Sequence, residues 1–283
     1  MALLVAVIAI LSSCSSSGEA SDPTNTTVES ANPEVVVPEG PAPTEVTTED
    51  LTEGDGPEFT DDAFIRIRYV GVLFDTGEEF SSRWDGASFD FTSGTEVAIP
   101  GLEEGLERMK VGGQRQIVVP ADKAYSDVER QGIPADSDLV FLVELVYVFT
   151  EPEIENIDEP VSELETEVLV EGSGEEVQAD DLIEIHYKGV AQSTGEVFDS
   201  SWLRGAPQEF GLAGLIPGWQ EGLAGQKVGS SVKLTIPGEL AYGEDGGPGI
   251  APNETLIFVI DILDASAAPP APEGLIPGSD TGG

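Results

Sequence analysis

The chain of 283 residues is poor in the side chains that build most reactive sites. Its one cysteine, Cys14, excludes a disulfide within the chain. Its one histidine, His186, excludes both a histidine cluster for a metal ion and a catalytic histidine dyad. The acidic pair Asp61-Asp62 lacks the ligand spacing of an EF-hand loop. The sequence therefore predicts no metal site.

Basic residues are also scarce. There are 12 Lys and Arg against 54 Asp and Glu, which gives a formal net charge of -42. Such a chain would be repelled by phosphate backbones, so nucleic acid is excluded as a partner. We interpret the acidic residues as solvated surface that keeps the protein soluble, at some cost in self-repulsion.

The apolar run Met1–Leu11 is too short to span a bilayer but has the length of the core of a secretory signal. Leu11-Ser12-Ser13-Cys14 follows it and resembles the lipobox of bacterial lipoproteins, in which the signal is cut before the cysteine and the cysteine carries lipid. The resemblance implies a signal peptide over residues 1–14 and a lipid anchor on Cys14. It also implies an exported protein on the cell membrane, facing away from the cytoplasm. The alternative is an ordinary signal peptide.

Three further segments have few large apolar residues and many Ser, Thr, Pro, Gly, Ala or acidic residues. Such segments bury too little apolar surface to offset the entropy of ordering the chain. The sequence predicts a disordered acidic stalk over residues 15–50, a linker over 151–164 and a disordered tail over 265–283.

Between these segments a pattern of strands, aromatic residues and one short helix occurs twice. Phe210–Gly225 begins as an apolar strand, turns at Pro217 and continues as a helix on which Trp219 and Leu223 face one way. Val97–Met109 is an earlier copy. The surrounding aromatics recur 117 or 118 residues later, pairing Tyr69 with Tyr187, Phe80 with Phe198, Tyr125 with Tyr242 and Phe141 with Phe258. This spacing indicates a duplicated domain, since solenoid repeats are roughly 20–50 residues long.

Alternating apolar residues predict most of the strands. They lie at Phe64–Val72, Glu78–Ser82, Gln114–Val119 and Asp138–Phe149, and again at Leu182–Val190, Val197-Phe198, Ser231–Ile236 and Leu256–Leu263. The predicted fold is α+β, with two domains over residues 51–150 and 165–264. Each is expected to be a curled antiparallel sheet wrapped round one short helix.

The second unit carries the ordered motifs HYKG, VFDSS, LIPGWQEGL, AYG and GGPGIAPNETLIF. Together they resemble the FKBP-type peptidyl-prolyl cis-trans isomerases, over about Ile65–Val148 and Leu182–Leu263. The resemblance implies an enzyme that accelerates X-Pro rotation in exported polypeptides, without cofactor or metal. It implies a proline pocket with Trp219 as floor and Asp199 at the rim, while Tyr242 and the Ile216 N–H bind a substrate carbonyl. The implied walls are Tyr187, Phe198, Leu215, Ile216, Ile250 and Phe258.

The first unit matches the family less closely. Its corresponding pocket would consist of Tyr69, Phe80, Phe89, Phe91, Ile99, Leu102, Tyr125, Ile133 and Phe141. Ser81 stands where the second unit has Asp199, and Leu102 stands where it has Trp219. These departures predict that activity lies mainly in the second domain. Two alternatives stay open: a module that binds proline peptides without turnover, and an acidic scaffold that needs neither pocket.

The chemistry of X-Pro rotation agrees with the scarcity of reactive side chains. The barrier is about 18–20 kcal/mol, but no bond breaks, so neither a nucleophile nor a metal is required. A dry apolar pocket with a few placed donors can favour the twisted amide. His186 alternates with Tyr187 along its strand, so we predict that it is structural and faces away from the pocket. Gln208 stands where the family often has an aromatic residue, which is expected to open one wall.

Overall fold

The computed structural model describes residues 32–85 and 88–268, which form two antiparallel sheets and two short α-helices. The first domain consists of β1 (Thr47–Thr52), β2 (Phe64–Leu73), β3 (Glu79–Ser82), β4 (Phe89–Thr92), α1 (Pro100–Leu106), β5 (Gln114–Val119) and β6 (Leu139–Phe149). The second consists of β7 (Glu165–Val170), β8 (Asp181–Ala191), β9 (Val197–Ser200), β10 (Gln208–Gly211), α2 (Pro217–Leu223), β11 (Ser231–Ile236) and β12 (Leu256–Ala267).

The sheets repeat one arrangement. The first has the order β1-β5-β6-β2-β3, with β4 also paired to β2. In the second, β7, β11, β12 and β8 follow one another in the same way, and both β9 and β10 pair with β8. The predicted α+β class and the two-domain duplication are therefore confirmed.

Helix α2 lies directly on its sheet because two of its residues have no side chain. A Cβ atom added to Gly222 would stand 2.6 Å from Cδ2 of Leu234 on β11, and one added to Gly218 would clash with Ile236. Pro217 is the first helical residue, where its missing N–H costs nothing. This close approach buries Trp219 between helix and sheet. Helix α1 makes the same approach through Gly101 and Gly105.

The described part of the predicted stalk differs from expectation. Val35, Val37 and Ala42 pack against a buried cluster on the outer face of the first sheet, made of Val72, Phe74, Val118 and Val140. Thr47–Thr52 forms the edge strand β1, so the domain begins before residue 51. Residues 15–50 are polar on average, but Val35 and Val37 alternate along the chain and pack against this apolar surface. Residues 15–31, and with them Cys14 and the predicted signal, lie outside the described residues.

The second domain also extends beyond its predicted end. Strand β12 pairs with β8 as far as Ala267, so residues 265–267 of the predicted tail belong to the sheet. The rest of that tail, from residue 269, lies outside the described residues. The linker runs along the second domain, where Lys188 Nζ donates to the carbonyl of Pro152 at 3.1 Å and Gln192 donates to that of Ile157 at 2.9 Å.

Arg66 joins the two domains. Its guanidinium donates to Asp90 of the first domain at 2.6 and 2.9 Å, and to Glu184 and the Leu263 carbonyl of the second at 2.7 and 3.0 Å. Burial lowers the pKa of Arg66, but its carboxylate partners outweigh that effect and raise it above its ordinary value. The buried guanidinium is therefore permanently charged and fully used by both domains.

Candidate functional site

A cavity of about 140 Å³ opens between α2 and the second sheet. Every residue predicted for this pocket lines it except Ile250, which is buried in the adjoining core. The lining consists of Tyr187, Phe198, Asp199, Phe210, Leu215, Ile216, Trp219, Tyr242 and Phe258. Phe210 is an addition to the predicted set. It lies two residues after Gln208 on β10, and this alternation could have identified it.

Trp219 lies at the base of the cavity with 5% of its surface exposed. Its indole meets the rings of Tyr187 and Phe258 edge-to-face, with centroids 5.4 and 5.0 Å apart. Phe210 makes a third such contact at 6.3 Å. Aromatic rings prefer this geometry over face-to-face stacking, so the base is a rigid set of interlocked rings.

Gly189 on β8 permits the closest packing in the wall. A Cβ atom at this position would lie 2.6 Å from Phe258 and 2.8 Å from Phe198, too close for any other residue. The two rings therefore cross the strand in edge-to-face contact, 5.5 Å apart. The glycine of the HYKG motif thus shapes the apolar wall without contributing a side chain.

A charged network holds one rim of the cavity. The Tyr187 hydroxyl donates to Asp199 at 2.7 Å, and Arg204 donates to Asp199 at 2.5 Å and to the Tyr187 oxygen at 2.6 Å. Burial raises the pKa of Asp199, but its bonds to Arg204 and Tyr187 prevail and hold it below its ordinary value. Burial, together with the Asp199 bond, raises the pKa of Tyr187 to about 12. The carboxylate is thus ionised and the phenol protonated at neutral pH.

Arg204 was not among the predicted site residues. It lies in a short 3-10 turn, Trp202–Arg204, between β9 and β10, and its guanidinium also covers the Tyr187 ring at 5.3 Å. It is the one basic residue between Lys188 and Lys227, and that isolation beside Asp199 is a signal that could have identified it.

Two donors at the cavity remain free for a ligand. Within the part of the chain that the structure describes, neither the Ile216 N–H nor the Tyr242 hydroxyl has a hydrogen-bond partner. Tyr242 is 43% exposed at the mouth, whereas Ile216 precedes the first turn of α2. Both were predicted to bind a substrate carbonyl, and both line the cavity.

His186 faces away from the cavity, as predicted. It is buried on the outer side of β8, stacked on Trp202 at 4.1 Å and in edge contact with Phe64 at 4.8 Å. Its Nδ1 shares a hydrogen bond of 2.9 Å with Ser201 Oγ. Burial and the nearby charge of Arg66 lower the pKa of His186 to about 4, so the ring is neutral at physiological pH.

The corresponding cavity of the first domain measures about 600 Å³. Its lining includes all the predicted residues except Phe91, namely Tyr69, Phe80, Phe89, Ile99, Leu102, Tyr125, Ile133 and Phe141. Phe91 is buried in the core behind Phe89, on which it stacks at 5.3 Å. In place of the charged rim, the Tyr69 hydroxyl shares a hydrogen bond of 2.9 Å with the neutral Ser81. Arg130 lies over the ring of Tyr125 at 5.5 Å on another side of the mouth.

Over residues 32–85 and 88–268, no group of three or more His, Cys, Asp or Glu side chains is arranged to hold a metal ion. Over the same residues, no helix has the length and apolarity needed to cross a membrane.

The structure thus defines a protein with two copies of one sheet-and-helix domain, each with an aromatic pocket beside the helix. A sequence model of the FKBP-type peptidyl-prolyl cis-trans isomerases matches residues 56–146 and 173–263. The chain therefore belongs to this family, and contains two of its domains.

Individual relatives agree with this assignment. FkpA of Escherichia coli strain K12, a peptidyl-prolyl cis-trans isomerase of the FKBP type, is 48% identical over 105 residues, which are 37% of this chain and 38% of FkpA. The FK506-binding protein of Streptomyces anulatus is 49% identical over 109 residues, 37% of this chain and 88% of that protein. The Bos taurus peptidyl-prolyl cis-trans isomerase FKBP10 is 34% identical over 213 residues, 72% of this chain and 34% of that protein. This chain therefore spans little more than a third of FkpA.

Proposed function

We propose that the second domain accelerates cis-trans rotation of X-Pro bonds in polypeptides by binding the proline in its aromatic pocket. The proposal rests on the aromatic cavity of about 140 Å³, which has Trp219 at its base and is bordered by the ionised Asp199 and two free donors. Family membership supports the same activity. Its substrates would be proline-containing chains of other proteins.

The proposed catalysis needs no covalent step. The interlocked rings around Trp219 exclude water from a bound proline ring. The Ile216 N–H and the Tyr242 hydroxyl can donate to the substrate carbonyl while the amide twists. Donors that are already oriented stabilise the changing charge distribution without reorganising, which lowers the barrier to rotation. The Asp199–Arg204–Tyr187 network holds one wall of this site rigid.

A protease-coupled isomerisation assay on the whole chain tests the proposal. A short peptide with one X-Pro bond is cleaved only in the trans form, so the slow phase reports the cis-to-trans rate. We expect this rate to rise in proportion to protein concentration. If a folded sample leaves the rate at its uncatalysed value, the protein does not catalyse the rotation and the proposal is wrong.

We further propose that the protein acts outside the cytoplasm, attached to the membrane through lipid on Cys14. This rests on the sequence Leu11-Ser12-Ser13-Cys14 after the apolar run Met1–Leu11. In a bacterial host, the Cys14→Ser protein should leave the membrane fraction or accumulate uncleaved. An unchanged distribution of the variant, with no lipid found by mass spectrometry on the original protein, would contradict the anchor.

A further inference from the structure

The floor of the first pocket is too small to fill it. Leu102 occupies the helix position that Trp219 occupies in the second domain, and it is 3% exposed beneath a cavity of about 600 Å³. The second cavity is about 140 Å³. The smaller isobutyl group accounts for part of this difference, and the first cavity also extends along Glu79 and the loop residues Arg130, Gln131 and Gly132, whose counterparts do not line the second. The first pocket is therefore larger than a single proline ring requires.

The rings that enclose the indole in the second domain have counterparts in the first. Tyr69 and Phe141 correspond to Tyr187 and Phe258, and they meet edge-to-face at 5.8 Å. Phe80 meets Phe141 in the same geometry at 5.7 Å.

Phe89 adds another ring to this cavity. By its pairing to β2 it lies where the second domain has Gln208, and it meets Tyr69 edge-to-face at 6.0 Å. Apart from the indole, the two cavities are thus lined by the same number of aromatic rings, with Phe89 in the first where Phe210 lines the second.

The rim of the first pocket lacks the charged network of the second. The Tyr69 hydroxyl bonds to the neutral Ser81 at 2.9 Å, where the second domain has the charged pair of Asp199 and Arg204. Among the described residues Arg130 forms no ion pair, and it lies over Tyr125 at the opposite side of the mouth. The aromatic wall can bind apolar groups without such a network, because burial of apolar surface needs no polar partner.

We propose that the first pocket is a holding site for a large aromatic side chain, Phe, Tyr or Trp, of an extended polypeptide. The ligand's ring lies over Leu102, among the rings of Tyr69, Phe89 and Phe141. Val97, 59% exposed at the rim, continues the apolar surface under the neighbouring ligand residues. The first domain then retains a client by its aromatic residues, and does so whether or not the second domain turns over proline.

Titration by NMR on the whole chain tests this inference, with acetyl-Ala-Phe-Ala-amide and acetyl-Ala-Pro-Ala-amide as probes. The backbone amides of Ile99 and Ile133 report on the first pocket, and those of Ile216 and Ile250 report on the second. We expect the Phe peptide to shift the first pair with a Kd at least tenfold lower than that of the Pro peptide at the same site. The second pair reports proline binding separately, so failure of the isomerase proposal is distinguishable.

Two substitutions in the first pocket are expected to weaken peptide binding for different reasons. Leu102→Trp fills the floor as in the second domain and should weaken Phe-peptide binding at least tenfold. Phe89→Gln imports the residue of the second domain at a partly exposed position and should weaken it about threefold to tenfold. Leu51→Ala, on the exposed edge strand β1, is the matched control and should leave the Kd unchanged. Should Leu102→Trp fail to fold, Phe89→Gln carries the test.

Any of three results overturns the inference. The Phe peptide could leave the amides of Ile99 and Ile133 unshifted. It could bind a folded Leu102→Trp protein, or the Phe89→Gln protein, as tightly as the original. The Pro peptide could bind the first pocket as tightly as the Phe peptide.

Discussion

In the second domain a tryptophan on the helix forms the base of the pocket, and in the first a smaller leucine takes the same place. The cavities measure about 140 and 600 Å³. At the rim the second domain has Asp199 held by Arg204, and the first has only the hydroxyl of Ser81. The pockets thus differ in floor, rim and volume, and the first is also lined by the loop residues Arg130, Gln131 and Gly132.

The outer faces of the sheets differ as well. In the first domain Arg68 and Glu144 form a partly exposed ion pair of 3.6 Å across β2 and β6. The same cross-strand positions in the second domain hold His186 and Asp261, both buried. Burial raises the pKa of Asp261 to about 7, against a smaller opposing effect of its bond to Ser231. Sensitivity to pH is therefore built into the second domain more than into the first.

The largest expected effect is the loss of stability when Trp219, the floor of the second pocket, is removed. Trp219→Ala removes the ring that fills the base of the second pocket and should lower the free energy of unfolding by about 3–5 kcal/mol. Hydrogen exchange of amides in β11 and β12 measures this loss in the second domain, and those in β5 and β6 serve as the internal control. Leu203→Ala, at a side chain that is 77% exposed, should change neither set. A loss under 1 kcal/mol would show that Trp219 is not a packed floor.

The next largest effect on stability is expected at the buried Asp261, on the outer face of the second sheet. Asp261 keeps its proton to about pH 7 in the folded chain, whereas it loses it near its ordinary pKa of 3.8 when unfolded. Its contribution to stability is complete below about pH 4 and is lost as the pH rises to 7. The Asp261→Asn protein should therefore gain stability relative to the original between pH 4 and 7. The gain approaches about 4 kcal/mol, because the pKa is raised by about three units and each unit corresponds to 1.36 kcal/mol.

Urea unfolding at pH 4.5 and 7.5 measures this gain. Glu144→Gln is the corresponding change on the first domain and controls for the removal of one carboxylate. A stability difference between Asp261→Asn and the original that is the same at both pH values would mean that Asp261 is ionised throughout.

The polar groups of the two pockets should differ in their contribution to rate. Loss of one hydrogen bond in a dry site costs about 1–3 kcal/mol, or roughly tenfold to a hundredfold in rate. Tyr242→Phe and Asp199→Ala should each lower kcat/KM in the coupled assay by that factor. Tyr125→Phe and Ser81→Ala, the matched changes in the first domain, should leave it within twofold. Complete loss of turnover in a folded Asp199→Ala protein would require acid–base chemistry instead.

The smallest expected effect is that of pH on turnover. The pKa of Asp199 lies below its ordinary value and that of Tyr187 is about 12, so neither titrates between pH 6 and 8. We expect kcat/KM to change by less than twofold over this range. A bell-shaped profile would indicate that a titrating group takes part in the chemistry and would contradict this prediction.

The sequence predicted correctly those elements whose bounds depend on a local pattern of residues. Strands β5 and β11 have their predicted bounds, and Pro217 begins α2 as its fixed backbone angle suggests. It missed β1 and β7, whose side chains are almost all exposed. Such edge strands form because a neighbouring strand offers hydrogen bonds, and the side-chain pattern does not reveal this.

The difference between the pockets was only partly predictable. The exchange of Trp219 for Leu102 is visible in the repeat, but the volume it leaves depends on how far Tyr69 and Phe141 close in. Arg204 completes the rim through a short turn whose geometry sets the contact with Asp199. Volumes and contacts between loops arise from packing, which alternation and spacing do not determine.

The central claim is that turnover belongs to the second pocket and depends on its floor and rim. Its most direct test is to exchange those residues between the pockets and measure kcat/KM of the whole chain in the coupled assay. The double variant Asp199→Ser with Trp219→Leu gives the second pocket the residues of the first, and turnover should fall at least tenfold. The reciprocal Ser81→Asp with Leu102→Trp should not lower it. Turnover that survives the first exchange in a folded protein, or falls with the second, would contradict the account.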